Sequence, residues 1–284
     1  MRGAAAGSAR PSDGLGGEKV HPSSLRSGVR LLYCLNPANL NSNSGVSVNR
    51  RLPLVRLFYI VAVAVLGLSV LAGAETLANA AGNSATFARE HFEGASLGTI
   101  DSDVLGLALN AATCAVQSGA VSSPKTLTVI DYSRPSSQER LWVIDLTTRE
   151  LLYEELVAHG QGSGGFTATM FSNEPDTHRT SLGLFVTDDT YVGRNGYSLR
   201  LDGLDKGIND RARERAIVMH GAPYVSEQYV RAKGRLGRSW GCPAIRNDIA
   251  REMIDRVKGG GLVFAYYPDA KWLTSSKYLG GCGA

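Results

Sequence analysis

The chain has 284 residues, of which 43% are hydrophobic and 20% are charged, a balance typical of a globular protein. Its formal net charge of +4 is unevenly distributed, because residues 1–74 hold eight basic and two acidic residues while the remainder holds 22 basic and 24 acidic residues. The main part of the chain therefore lacks the basic excess of a nucleic-acid-binding protein, and we expect no nucleic-acid partner.

An apolar run of 16 residues, LFYIVAVAVLGLSVLA at positions 57–72, follows three arginines and ends in the small-residue pattern Ala72-Gly73-Ala74. This pattern predicts a secretory signal peptide over residues 48–74. The alternative is an uncleaved membrane anchor, for which the run is short of the roughly 20 residues that a spanning helix needs. We therefore expect export to the periplasm or the cell envelope.

The residues before this segment are rich in Ser, Gly, Ala and Asn and show no sustained periodicity. A signal peptide normally begins near the N-terminus of a protein. We therefore interpret residues 1–47 as a disordered or non-native extension, with translation beginning close to Val48.

The chain contains four cysteines, Cys34, Cys114, Cys242 and Cys282. Export would place the last three in an oxidising compartment, where an odd number leaves at least one without a partner in the chain. Cys114 and Cys282 lie near the two ends of the exported region and are candidates for a disulfide that would leave Cys242 free. The sequence alone does not fix this pairing.

The first element predicted after the signal peptide is a helical segment over residues 75–124. The apolar pattern VLGLALNAATCAV follows Ser102 and Asp103, either of which is a candidate N-terminal cap.

Alternating, β-branched runs then predict a β-rich domain over residues 125–268. Strands are expected at 125–132, 140–146, 150–160, 181–189, 196–204, 216–221 and 261–268. One late helix is predicted from apolar residues that recur every four positions, namely Ile245, Ile249, Met253 and Val257. Residues 269–284 are predicted to be a C-terminal tail.

The segment GRSWGCPAIRND at 237–248 places Cys242 between a glycine and a proline, a poor pattern for a core segment. A thiol is a nucleophile only as the thiolate, and a free cysteine with a pKa of about 8.5 is mostly protonated. Pro243 suits the first position of a helix, so we expect Cys242 just before a helix N-terminus, where the dipole favours an anion. Arg238 and Arg246 supply further positive charge that can lower the pKa.

His220 ends a predicted strand 22 residues upstream and is the candidate base for this thiol. Gly241 has no side chain, so its amide and that of Cys242 can form an oxyanion hole. The alternatives are a structural or disulfide-bonded Cys242 and a His220 that only makes a structural hydrogen bond. His159 is a less favoured base, because one base suffices. No ligand spacing typical of zinc appears, so we expect no metal and no cofactor.

Two short motifs resemble a known family. MHG at 219–221, followed by SWGCPAI at 239–245, is similar to the signature of the L,D-transpeptidase catalytic domain, in which His-Gly precedes Ser/Thr-His-Gly-Cys. Trp240 stands in the place of the second histidine and Pro243-Ala244 follows the cysteine, which resembles a side branch of that family. Further blocks within residues 125–267 are similar to the same branch, among them RLWVIDL, TSLGLF and GYSLRLDGL.

The resemblance implies a mainly β fold with helices, β-sandwich-like, with the cysteine loop and a following helix at one edge. It implies that Cys242 is the nucleophile and His220 the base, oriented by a backbone carbonyl that the sequence does not identify. In the loop, Ser239 shapes the backbone, Trp240 lines the pocket, and the amides of Gly241 and Cys242 hold the oxyanion. Substrate contacts are assigned to Arg238, Arg246, Gly221 and Tyr224.

An enzyme of this family acts on the tetrapeptide stems of peptidoglycan by two-step acyl transfer. Cys242 would attack the carbonyl of a meso-diaminopimelate residue, the terminal D-Ala would leave, and the thioester would pass to an amine, giving a 3–3 cross-link, or to water. Carbapenem-type β-lactams, which mimic the scissile acyl group, are the expected inhibitors. Two alternatives stay open, an L,D-carboxypeptidase and a non-catalytic cell-wall-binding module, the latter favoured by Trp240 in place of the motif histidine.

Overall fold

The computed structural model describes residues 87–282 of the chain. The extension predicted at 1–47, the signal peptide predicted at 48–74 and Cys34 lie outside the described residues. Within residues 87–282, no helix has both the length and the apolar character that a membrane span requires.

Eight strands of the described region form one mixed sheet in the order β3-β2-β1-β8-β4-β5-β6-β7. The strands are β1 (Thr126–Asp131), β2 (Leu141–Asp145), β3 (Leu151–Glu155), β4 (Gly183–Gly193), β5 (Gly196–Gly203), β6 (Val218–Ala222), β7 (Ala244–Arg246) and β8 (Leu262–Tyr266). The α-helices are α1 (Ser102–Gln117), α2 (Glu227–Lys233), α3 (Asn247–Val257) and α4 (Ala270–Ser275), and short 3-10 helices cover Arg89–Phe92 and Gln161–Ser163. The predicted mainly β fold with helices is confirmed.

Strand β1 lies at the centre of the core, between the antiparallel β2 and the parallel β8. All six of its residues are buried, as are the first four of β8. The sequence TLTVID alternates Thr with Leu and Val, yet both faces of this strand are buried. Trp142 of β2 and Phe264 of β8 complete this core.

The segment that follows β3 bridges to the opposite edge of the sheet. The Ala158 N–H donates to the Ala244 carbonyl at 2.8 Å, and Gly160 forms a bridge with Ser239. The two backbones cross so closely that a Cβ on Gly160 would lie 2.8 Å from the Cα of Gly241. These contacts fix the loop before β7, which is the loop that carries Cys242.

The N-cap of helix α1 is Asp101, one residue before the first of the two caps predicted from the sequence. The Asp101 carboxylate accepts hydrogen bonds from the N–H groups of Asp103 at 2.9 Å and Val104 at 3.1 Å. Ser102 and Asp103 were therefore wrong as caps, because both already belong to the helix while Asp101 keeps the extended backbone that an N-cap needs. The buried face of α1 packs against β1 and β8.

The late helix also begins at a different residue. Residues 244–246 form β7, which pairs in parallel with β6, and α3 begins only at Asn247. The prediction that Pro243 opens a helix was therefore wrong, because pairing with β6 takes the backbone of this segment into the sheet.

The predicted C-terminal tail is structured and tied to the core. Helix α4 is capped by Asp269, whose carboxylate accepts from the Trp272 N–H at 2.8 Å, and Trp272 and Tyr278 are both buried. A disulfide joins Cys114 of α1 to Cys282. Of the two arrangements that the sequence left open, the structure has the one in which Cys242 is a free thiol.

We expect reduction of this disulfide to lower the stability of the protein. A cross-link between residues 168 positions apart restricts the unfolded chain strongly, a stabilisation of up to about 5 kcal/mol. Thermal unfolding of the 284-residue chain, followed by circular dichroism, should shift to a lower midpoint in dithiothreitol. A Cys114→Ala/Cys282→Ala variant should unfold at that lower midpoint with or without reductant, and a wild-type midpoint unaffected by reductant would contradict the prediction.

Candidate active site

Cys242 and His220 line one cavity of about 270 Å³ at the β6–β7 edge of the sheet. Strand β6 carries His220, and the loop before β7 carries Cys242. His220 lies opposite Ala244 in the parallel pairing, so the register places Cys242 two residues from the partner of the histidine. The cavity is lined by Arg194, Asn195, His220, Tyr224, Arg238, Ser239, Trp240 and Cys242.

The Cys242 thiol is almost completely buried. Its S–H donates to the Ala216 carbonyl at 3.7 Å, and its sulfur accepts the Val218 N–H at 3.5 Å. Burial raises the pKa of the thiol above its ordinary value, while the Val218 N–H and the Arg215 guanidinium only partly oppose this effect. The resting side chain is therefore a neutral thiol.

This result corrects the predicted activation of Cys242. A strand, not a helix N-terminus, follows the cysteine, so no helix dipole acts on the thiol. Arg246 lies outside the cavity lining, because its guanidinium holds Glu155 in a two-point ion pair of 2.8 and 2.9 Å and also contacts Asp248. Its expected role as a substrate contact has no support in this arrangement.

Arg215 is the positive charge that opposes the rise in the pKa of Cys242, a role that the sequence predicted for Arg238 and Arg246. Its guanidinium is held by the carbonyls of Arg179 at 2.6 Å and Ser172 at 2.7 Å, and by the Ser181 hydroxyl at 2.5 Å. Sequence reasoning missed Arg215 because it belongs to the charged stretch DRARER, which carries no sign of which arginine turns inward.

The His220 imidazole is held in one orientation by a backbone carbonyl. Its Nδ1 lies 2.9 Å from the Gly221 carbonyl, which can only accept, so Nδ1 carries the proton and Nε2 is left with a free lone pair. Burial lowers the pKa of His220 below its ordinary value and keeps the ring neutral. The backbone carbonyl that the sequence could not identify is therefore that of Gly221, one of the residues assigned to the substrate.

A tight turn holds the loop before Cys242. The Ser239 hydroxyl donates to the Cys242 carbonyl at 2.6 Å and accepts the Gly241 N–H at 3.2 Å. Gly241 has φ +117°, and a Cβ there would lie 2.8 Å from the Arg179 carbonyl, so only glycine fits. Two amides were predicted to hold the oxyanion. That of Gly241 is already bound by Ser239, whereas that of Cys242 makes no hydrogen bond within residues 87–282.

Trp240 forms an exposed wall of the cavity. It is 63% exposed, and its indole stacks on the His178 ring with centroids 4.8 Å apart and 10° between the planes. His178 is itself held by a 2.9 Å contact between its Nδ1 and the Gln161 amide. The residue that replaces the motif histidine is thus fixed in place without taking part in the Cys242–His220 pair.

His159 supports the site from below and is not a base. Its side chain is fully buried, does not line the cavity, and lies 2.9 Å from the Arg140 guanidinium. Burial and then the charge of Arg140 lower the pKa of His159 to about 4. Its backbone carbonyl accepts the Ser239 N–H at 3.0 Å, which anchors the cysteine loop.

Residues 87–282 contain no group of three or more His, Cys, Asp or Glu side chains placed to hold a metal ion. A larger cavity of about 500 Å³, lined in part by Arg134, Glu139 and Glu227, contains neither Cys242 nor His220.

The sequence matches the family model of the L,D-transpeptidase catalytic domain over residues 97–266, more than half of the chain. No curated protein matches it significantly. Solved structures with a similar fold include an L,D-transpeptidase from Mycobacterium smegmatis, with 16% identity and a TM-score of 0.31 over 50% of this chain and 59% of that one. They also include the helical cell shape determining protein Pgp2 from Campylobacter jejuni, with 10% identity and a TM-score of 0.36 over 52% and 50% of the two chains.

The chain thus spans about three fifths of the first of these proteins and half of the second. Because both TM-scores are low, membership of a family rests on the sequence match alone. That match covers both motifs and every strand of the sheet. The chain therefore belongs to the L,D-transpeptidase catalytic-domain family.

Proposed function

We propose that this protein is an exported peptidoglycan L,D-transpeptidase with Cys242 as nucleophile and His220 as base. The observation that carries the proposal is that one cavity is lined by a free, largely buried thiol and by an imidazole whose Nε2 is left available by the Gly221 carbonyl. A thiol and an oriented base that line one cavity are the groups that nucleophilic catalysis by a cysteine uses.

The donor stem would bind with the carbonyl of its meso-diaminopimelate residue beside Cys242. The thiol proton passes to Nε2 of His220 as Sγ attacks the carbonyl carbon, and the Cys242 N–H binds the oxygen that becomes negative. The tetrahedral intermediate collapses when the imidazolium gives its proton to the amine of the terminal D-Ala, which leaves. The product of this half-reaction is a thioester on Cys242.

The second half-reaction releases the enzyme. His220 accepts a proton from an acceptor amine or from water as either attacks the thioester, and the Cys242 thiolate leaves and takes a proton from His220. An amine acceptor gives a 3–3 cross-link, and water gives the carboxypeptidase product. Both fates use the same residues.

Burial has a direct consequence for this mechanism. Because both pKa shifts favour the uncharged forms, the resting pair is thiol and imidazole, with no thiolate waiting in the cavity. Proton transfer is then coupled to attack on a bound substrate, and Arg215 stabilises the negative charge that builds up on sulfur.

Export is part of the proposal. The Cys114–Cys282 disulfide supports it, because such bonds persist in oxidising compartments.

The second candidate function is a non-catalytic cell-wall-binding module, favoured by the raised pKa of Cys242.

We expect the 284-residue chain to form a one-to-one covalent adduct with a carbapenem at Cys242. Intact mass and peptide mapping should locate the adduct, and Cys242→Ala should abolish it. Incubated with tetrapeptide-bearing muropeptides, the protein should release D-Ala and form tripeptide or 3–3 dimers, and the variant should not. Absence of both reactions with a thiol confirmed to be free would favour the binding module.

We also expect carbapenem acylation to persist below the usual titration range of histidine. The base must be neutral, and the lowered pKa of His220 means that protonation removes it only below the ordinary value of about 6.5. The second-order acylation rate should therefore stay on its plateau as the pH falls through that value.

The control for this profile is His220→Gln. Its second-order acylation rate should be lower by about a hundredfold or more and should no longer show the fall at low pH that protonation of His220 causes. A wild-type midpoint at or above the ordinary histidine pKa would contradict the assignment.

A further inference from the structure

The mouth of the Cys242 cavity carries two guanidinium groups and no carboxylate. We propose that Arg194 and Arg238 form a carboxylate-binding pair there, and that Arg194 makes the enzyme prefer stems whose carboxylates are free over stems in which they are amidated. The identity of the anion rests on the proposed function, whereas the preference of the cavity for an anion does not.

Arg194 reaches the cavity from the turn between β4 and β5. The pairing of Gly193 with Gly196 makes Arg194 and Asn195 the two turn residues of this hairpin, and both line the cavity. The Arg194 side chain is exposed and forms no ion pair within the described region. A hairpin turn thus holds a free guanidinium and an amide beside the thiol, although the two lie about 50 residues before it in the sequence.

Arg238 approaches from the cysteine loop itself. One of its terminal nitrogens donates to the Gly164 carbonyl at 3.1 Å, which positions the side chain without neutralising its charge. Its remaining N–H groups are free to bind a ligand, because a guanidinium has five donors in a fixed planar arrangement.

Several arginines on β5, on β7 and in the loop between β5 and β6 form ion pairs, unlike Arg194 and Arg238. Arg200 binds Asp189 at 3.2 Å, Arg213 binds Asp188 and Asp202, and Arg211 binds Glu174 and Glu214. Arg246, on β7 itself, binds Glu155. Their charge is balanced by neighbouring side chains, whereas that of the cavity arginines is left for a ligand.

A carboxylate is the ligand that fits this arrangement. Guanidinium binds carboxylate through two parallel hydrogen bonds, and the attraction is strongest when no competing acid lies in the site. The stem proposed as substrate carries several carboxylates, so the shared chemistry is a carboxylate within reach of the scissile bond. Amidation would remove the charge while keeping the shape.

The first experiment compares alkylation of Cys242 by iodoacetate and by iodoacetamide, which differ in charge and little in size. In both reactions the Cys242 sulfur forms a bond to the CH₂ carbon, iodide leaves with the electron pair of the C–I bond, and the thiol proton is lost to the buffer. Peptide mapping by mass spectrometry follows modification of Cys242 in the 284-residue chain. The ratio of the two rates reports attraction of the anion independently of the reactivity of the thiol.

We expect Arg194→Gln and Arg238→Gln each to lower the ratio of the iodoacetate rate to the iodoacetamide rate about fivefold. The double variant should lower this ratio further, and added salt should lower it for the wild-type protein. Arg256→Gln, an exposed arginine of α3 outside the cavity, is the matched control and should keep the wild-type ratio. Unchanged ratios in both cavity variants would overturn the carboxylate-binding pair, and the iodoacetamide rate verifies that each variant retains an accessible thiol.

The second experiment identifies the carboxylate through kcat/KM for tetrapeptide stems amidated at one carboxylate at a time. For the wild-type enzyme, kcat/KM should fall about tenfold when the recognised carboxylate is amidated. For Arg194→Gln, kcat/KM with the free acid should already be about tenfold below the wild-type value, and amidation should not lower it further. Equal discrimination by wild type and Arg194→Gln would overturn the role of Arg194. If no stem is turned over while the alkylation ratio behaves as expected, the proposed function fails and the anion site stands.

Discussion

The parallel pairing of β6 with β7 is the contact on which the candidate site depends. Through it, His220 is held between Ala244 on one side and Ser198 of β5 on the other by main-chain hydrogen bonds. Cys242 lies two residues before the start of β7, in a turn that the Ser239 hydroxyl closes by a hydrogen bond to the Cys242 carbonyl. The proposed nucleophile and base are therefore positioned by the backbone hydrogen bonds of the sheet and of the turn before β7.

Burial controls the chemistry of this pair. Removing water from a thiol raises its pKa and removing water from an imidazole lowers it, so both groups rest in the neutral form. In the proposed mechanism, the charges on the sulfur and on the imidazole form only while substrate occupies the cavity. Arg215, held by backbone carbonyls and a hydroxyl, with no carboxylate among these partners, is placed to stabilise the negative charge without being neutralised first.

Much of the fold and the identity of the candidate catalytic residues could be predicted from the sequence. The strands follow local β-branched patterns, and the two motifs place histidine and cysteine at the ends of short segments. The errors concern long-range contacts. Pro243 fits a helix start locally, but pairing with β6 makes the next residues a strand, and Arg246 looks free until Glu155, 91 residues away, is brought beside it.

The sequence by itself determined most strands of the described region and the presence of helices α1 and α3, because periodicity and turn residues act over a few positions. It also determined which residue types are available for acyl transfer. Only the tertiary structure decided that Cys114 pairs with Cys282, that Gly221 orients His220, and that Arg194 reaches the cavity. The physical reason is that disulfide geometry, desolvation and ion pairing depend on groups far apart in the chain, which only folding brings together.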